Sequence, residues 1–267
     1  MSQPISALFD LKGKGAIVTG GATGIGKAIS LRLAEAGAAV MIADIDMETA
    51  TLTVKQINAT GGRAEALYAD ASSATDAVKV VRATVEAFGS VDILINNAGI
   101  YPVTPLDEIT EAVWDKVFDI NVRGVFFYSQ AVARQMIMAR RGGKIVNIAS
   151  MESLHPRTGL VHYCTSKASV DMLTRSLALE LAPHNILVNS VAPGGVITPG
   201  TLAQAAAYQS SSKPATSDTF ETYIARIPLG RIGKPDDVAG AVLFLASAAA
   251  DYMTGSSILI DGGYLLS

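Results

Sequence analysis

The chain has 267 residues, 49% of them hydrophobic and 17% charged, with 24 glycines and a formal net charge of −3. This balance excludes disorder, offers no broad basic surface to nucleic acid or an anionic membrane, and suits one core burying roughly 75% of the unfolded chain's surface. A single cysteine, Cys164, and three scattered histidines leave no internal disulfide and no metal site, and the apolar run Ala241–Ala250 is too short to span a bilayer.

Along the chain, strand-length apolar runs alternate with longer segments of helical period. A strand at Gly15–Thr19 is followed by a helix at Gly24–Ala36, a strand at Ala39–Ala43, a helix at Met47–Asn58, a strand at Ala64–Ala69 and a helix at Ser73–Phe88. The series continues with a strand at Val91–Ile95, one long helix over Glu111–Met138, a strand at Lys144–Ala149 and a helix at His162–Leu181. A strand at Ile186–Val191, a helix near Pro235–Ala246 and a strand at Ser257–Ile260 close it. This alternation predicts βαβ units and a parallel sheet. No linker divides residues 1–267, so one domain is expected. Residues 199–227 depart from the pattern, and a connection of that length predicts a lid or binding element. Without a secretory leader pattern, the expected compartment is the cytoplasm.

The first strand runs directly into Thr19-Gly20-Gly21-Ala22-Thr23-Gly24-Ile25-Gly26, which opens a helix. Small residues let the backbone approach a pyrophosphate, and the helix N-terminus adds free N–H groups and a positive dipole end. Asp44 ends the second strand, where a carboxylate accepts hydrogen bonds from both hydroxyls of an adenosine ribose. A 2′-phosphate there would meet that carboxylate with no basic side chain on Gly21, Ala22 or Thr23 to offset it. NAD is therefore the expected cofactor, rather than NADP.

Tyr163 and Lys167 are four residues apart on a predicted helix and share one face. Ser150 ends the preceding strand, at the crevice outside the carboxyl ends of a parallel sheet. Removing the proton of an alcohol needs a base, and free tyrosine at a pKa of about 10 supplies too little phenolate near neutrality. Lowering it to about 7 takes roughly 4 kcal/mol, comparable with one positive charge at about 4 Å and an effective dielectric near 20. Lys167, aided by an oxidised nicotinamide, is the expected source, with Ser150 holding the substrate oxygen. The chain thus reads as an oxidoreductase moving a hydride between a nicotinamide cofactor and a secondary alcohol or ketone.

Five separated motifs resemble the short-chain dehydrogenase/reductase family: Thr19–Gly26, Asn96-Asn97-Ala98-Gly99, Asn121, Ser150 with Tyr163-Cys164-Thr165-Ser166-Lys167, and Pro193-Gly194. The resemblance covers essentially the whole chain. It implies a Rossmann-type doubly wound sheet of about seven strands with helices on both faces, a substrate lid near residues 199–227, and homotetramer assembly. It also implies a tetrad of Asn121, Ser150, Tyr163 and Lys167, with Asn121 positioning a water that links Lys167 to solvent. Cofactor contacts are implied at Gly20, Thr23, Gly24, Ile25, Gly26, Asp44, Asp70, Asn97, Ala98, Gly99, Tyr163, Lys167, Pro193, Gly194, Val196 and Thr198. Asp70 matches the acid that contacts adenine, and Val196 and Thr198 fall where the family holds the carboxamide and phosphates.

Apolar stripes on the two long helices, including Val125, Phe126, Val132, Met136, Met172 and Leu173, are candidates for the interface between subunits. Tyr101, Glu152, His155 and Arg157 are expected to border the substrate pocket, which favours a sugar, polyol or other polar alcohol. Two alternatives stand beside this reading. One is a β-ketoacyl carrier-protein reductase, ordinarily served by NADPH; the other is a nicotinamide-sensing regulatory protein without turnover. No metal, nucleic acid or membrane partner is expected.

Overall fold

Every residue of β1 (Gly15–Thr19) is buried, as a strand covered on both faces requires. In the computed structural model, which describes residues 4–203 and 220–267, β1 lies inside a seven-stranded parallel sheet. The other strands are β2 (Ala39–Asp44), β3 (Arg63–Tyr68), β4 (Ile93–Asn96), β5 (Gly143–Ile148), β6 (Ile186–Pro193) and β7 (Ser257–Ile260). The described helices are α1 (Ile5–Leu8), α2 (Gly24–Glu35), α3 (Met47–Ala59), α4 (Ala74–Phe88), α5 (Glu111–Phe118), α6 (Val125–Ala139), α7 (Val161–Leu181), α8 (Phe220–Ala225) and α9 (Pro235–Ala246).

Alternation along the strands divides the core in two. Ala16, Val18, Val40, Ile42, Ile93 and Ile95 face α2 and α9, packing with Ile29, Leu33, Val238 and Val242. Ile17, Met41, Leu94 and Ile145 face the other way, toward Val80, Tyr128, Val132 and Met136 of α4 and α6. A period of two with both sets apolar is what a doubly covered sheet demands.

The strand order is β3-β2-β1-β4-β5-β6-β7. Connections run outward from β1 to β3, then return across the sheet to β4, so the loops after β1 and β4 diverge. Their divergence opens a crevice at the strands' carboxyl ends, the usual ligand position in such sheets.

The expected single helix over Glu111–Met138 is α5 and α6 joined by six π-helical residues, Asp119–Gly124. Apolar periodicity does not register one locally widened turn, which is why the sequence suggests an unbroken helix. Within it Gly124 presses on the backbone of Ala71, whose carbonyl oxygen would collide with any Cβ. Of the expected lid, residues 199–203 are helical and α8 carries Phe220–Ala225; residues 204–219 lie outside the described residues. Among the described residues no helix is long and apolar enough to cross a membrane.

Gly26 packs so closely on the Gly20 carbonyl and the Asn97 amide that a Cβ has no room. Gly26→Ala is therefore expected to cost about 1–3 kcal/mol by overpacking. Urea unfolding measures this, and an unchanged midpoint would mean that the turn yields freely.

Candidate active site

The Gly-rich turn owes its shape to backbone that only glycine adopts easily. Gly20 and Gly24 have φ of +62° and +53°. Thr23 stands at the N-cap of α2 without a side-chain capping bond, and the first turn carries no acid, so its N–H groups face outward uncapped. Thr198 lies directly over Gly24, where a Cβ would come 3.3 Å from it. These features fit the diphosphate of a dinucleotide.

Asn97 joins the two sides of the crevice. Its amide donates to the carbonyls of Thr19 at 3.0 Å and Gly20 at 2.9 Å, while its own N–H donates to Thr19 Oγ1 at 3.0 Å. The side chain therefore shapes the turn, and the backbone of Asn97, Ala98 and Gly99 is left to line the cleft. Asp44 accepts from the N–H of Ala22 at 2.9 Å and of Asp46 at 3.0 Å. A carboxylate has about four acceptor positions, so two remain for ribose hydroxyls.

The remaining expected cofactor residues divide by environment. Asp70 is exposed and holds Ser72 through its N–H and hydroxyl at 2.8 and 2.7 Å. Pro193 ends β6, and Gly194 fits against Asp261. Val196 is buried in the core beneath α9, so only its backbone is available to a ligand.

At the reacting end, Ser150 follows β5 and is 4% exposed. Its hydroxyl donates to Glu152 Oε2 and lies in hydrogen-bonding reach of Tyr163. Lys167, 5% exposed, donates from Nζ to the carbonyl of Ile148 at 2.7 Å and lies 5.8 Å from the Tyr163 ring centre. Asn121 is fully buried within the π-helical turn. Its amide oxygen accepts from the N–H of Ile100 at 2.9 Å, and its nitrogen donates to the Ile100 carbonyl at 2.9 Å and to Ser166 Oγ at 3.0 Å. A Cβ on Gly99 would lie 3.2 Å from Asn121 Oδ1 and 3.5 Å from Lys167 Nζ, so all four residues of the expected tetrad meet at one end of the crevice.

The electrostatics of the protein alone run against the expected activation of Tyr163. Burial, then the Glu152 carboxylate, raise its pKa above the ordinary tyrosine value, against a lowering contribution from Ser150. Burial lowers Lys167 to about 8, opposed by Asp171 and Glu152. Lys167 is bonded to the Ile148 carbonyl.

Of the expected pocket residues, Tyr101 packs on Tyr163 with ring centres 5.7 Å apart, and Glu152 reaches Ser150. His155 and Arg157 are exposed at the rim, against Tyr264 and Tyr223 respectively. Tyr223 of α8 is a cleft residue that the sequence did not single out. Its ring lies 5.0 Å from that of Tyr264, its hydroxyl abuts Gly195, and burial followed by Glu152 raises its pKa to about 12. It sits inside the weakly patterned segment 199–227, where spacing carries no signal. Asn96 was also unassigned as a single residue; it donates to Ser129 at 3.0 Å and Asn147 at 2.8 Å, and Asn147 donates to Thr174 of α7 at 2.9 Å. No cluster of potential metal ligands occurs among the described residues.

A family profile described as Enoyl-(Acyl carrier protein) reductase matches residues 20–265. A 2-dehydro-3-deoxy-D-gluconate 5-dehydrogenase of Dickeya dadantii is 42% identical over 257 residues, covering 96% of this chain and 97% of that one. A short-chain type dehydrogenase/reductase structure from Mycobacterium marinum superposes with a TM-score of 0.91 at 38% identity, covering 99% of this chain and all (100%) of the other. An Agrobacterium tumefaciens structure provisionally named a 2-deoxy-d-gluconate 3-dehydrogenase, with bound NADP, gives 0.86 at 39% identity, covering 97% and 99%.

The buried lysine makes stability depend on pH. With a folded pKa of about 8 against an ordinary 10.5, the cost of its buried charge is complete below pH 8 and fades as pH rises. Lys167→Met lacks that charge. The parent is therefore expected to gain stability relative to this variant between pH 8 and pH 10, before tyrosine with its ordinary value of 10 titrates. Urea midpoints across that range measure it; a constant difference would contradict the depressed lysine.

Proposed function

The chain belongs to the short-chain dehydrogenase/reductase family, and we propose that it is an NAD-dependent dehydrogenase for a sugar, a polyol or a comparably polar secondary alcohol. The observation that carries this reading is the meeting of Ser150, Tyr163, Lys167 and Asn121 beside Gly99, at the mouth of a cleft that fits a dinucleotide. The bound nicotinamide supplies the hydride acceptor and a positive ring. Ser150 holds the alcohol oxygen, and Tyr163 takes its proton once positive charge offsets the burial that otherwise keeps the phenol protonated. Lys167 holds the nicotinamide ribose and supports the phenolate, while Asn121 ties the Ile100 backbone to Ser166 of the helix that carries the lysine.

NAD preference rests on Asp44, since a structural relative holds NADP and family likeness alone does not decide. The polar pocket supports a hydroxylated substrate: Glu152, Tyr101 and Tyr223 surround the reacting end, and Arg157 stands at its rim. The similarity to a sugar-acid dehydrogenase points the same way. A second reading, a carrier-protein-linked reductase, is favoured by the description of the matching family profile. It predicts NADPH use and activity on β-ketoacyl thioesters. A nicotinamide-sensing regulator would show no turnover with any alcohol.

Assembly as a homotetramer is part of the proposal. The monomer core absorbs Val125, Val132 and Met136, correcting their expected place at an interface, whereas Phe126 and Met172 stay 37% and 60% exposed around a shared hollow with Val122 and Leu173. Light scattering at micromolar concentration should give four times the monomer mass, and a monomer would refute it.

Three further outcomes test the chemistry. With a panel of sugars, polyols, hydroxysteroids and β-ketoacyl thioesters, kcat/KM is expected to be highest for a polar alcohol with NAD. Asp44→Ala combined with Ile45→Arg should then relax or reverse the preference for NAD; equal use of NADP by the parent would remove Asp44 from the argument. Tyr163→Phe should lower turnover by about 10²–10⁴-fold while NADH still binds, and retention of more than a few per cent of activity would exclude Tyr163 as the base.

A further inference from the structure

Ser150 carries one hydroxyl proton, and two groups claim it. In this structure the proton goes to Glu152 Oε2, while the N–H of Glu152 donates back to Ser150 Oγ at 3.3 Å. When an alcohol is bound for oxidation, the same proton is needed on the oxygen that loses its proton to Tyr163. Glu152 then loses its donor in a partly buried site. No ion pair among the described residues includes it, and the cation whose charge it feels, Lys167, is held by the carbonyl of Ile148. A desolvated carboxylate left without a donor is costly, and a hydroxyl offered by the ligand removes that cost.

The position of such a hydroxyl follows from the geometry. The reacting oxygen and Glu152 Oε2 both sit within a hydrogen bond of Ser150 Oγ, so they are near neighbours. A hydroxyl on the adjacent carbon, gauche to the reacting one, falls within hydrogen-bonding reach of that carboxylate. We propose that Glu152 accepts a hydrogen bond from the substrate hydroxyl next to the reacting one, and so selects vicinal diols and polyols while rejecting 2-hydroxy acids, whose carboxylate would occupy that place. The inference rests on the dehydrogenase reading and narrows its substrate class. Glu152 also acts on the hydroxyls of both Tyr163 and Tyr223, which puts its negative charge on the substrate side of the cleft. A residue serving only the short turn Met151–Ser153 would have no reason to face either.

The test measures kcat/KM with NAD for matched pairs: 1,2-cyclohexanediol against cyclohexanol, and 2,3-butanediol against 2-butanol, with lactate as the 2-hydroxy acid. The parent should prefer the diols by roughly 10- to 100-fold, as a hydrogen bond to a charged group warrants. Glu152→Ala should bring the diol-to-monool ratio to about one, and Glu152→Gln, which keeps the shape without the charge, should lower it several-fold and raise relative activity on lactate. NADH fluorescence titration confirms that each variant retains its cofactor site; should Glu152→Ala fail to bind NADH, Glu152→Gln decides. An unchanged ratio in the variant that binds NADH, or a parent that oxidises monools as well as diols, would overturn the proposal. A parent that oxidises no alcohol at all would instead overturn the dehydrogenase reading, and this inference with it.

Discussion

The site depends on a cleft between two loops at the carboxyl edge of the sheet, which one side chain bridges. Because strand order reverses between β1 and β4, the loops that follow them part, and nothing in the backbone ladder fixes their separation. Asn97 supplies that constraint by donating to Thr19 and Gly20 across the gap, with Thr19 Oγ1 receiving the N–H groups of Asn97 and Ala98 in return. Glycine at position 26 completes it, since a larger residue would push the turn off the amide. The Gly-rich turn and the loop leading to Gly99 thereby become one rigid piece, and Asp44, bonded to Ala22, is tied to the same piece.

The end of the crevice that holds Tyr163 and Lys167 is organised by burial. Enclosure raises Tyr163 and lowers Lys167, so without a cofactor the two groups tend toward their neutral forms. A site of this kind is poised to respond to an added positive charge, because the dense surroundings that suppress ionisation also strengthen the field of a bound cation. Glu152 opposes that charge at the tyrosine but supports the lysine, so the one carboxylate affects both. Its direct bond to Ser150 makes it part of the same network.

Support for these groups comes from buried polar contacts away from the cleft. Asn96, Asn147 and Thr174 link β4 and β5 to α7, the helix that carries Tyr163 and Lys167. Asp171 accepts from Ser153 at 2.5 Å and from Ser190 at 3.1 Å, joining the segment after Ser150 to α7 and β6. The π-helical turn inserts Asn121 beneath Ile100 and Ser166. Each contact satisfies polar groups that burial would otherwise penalise, and each limits the motion of a residue at the reacting centre.

The order of strands and helices, the Gly-rich turn, Asp44 and the Tyr163–Lys167 pair were legible in the amino-acid sequence. Periodicity, a glycine run after a strand and a four-residue helical spacing are local properties, so they survive without knowledge of what packs where. Tertiary structure alone decided the rest. Asn97 turns inward, Val196 joins the core, His155 and Arg157 remain at the rim, and Tyr223 reaches the cleft from a distant helix, because these depend on contacts between residues far apart in the chain. The same is true of the tyrosine's ionisation: the sequence shows which charges exist, but their effect is set by burial and distance, which arise only when the chain is folded.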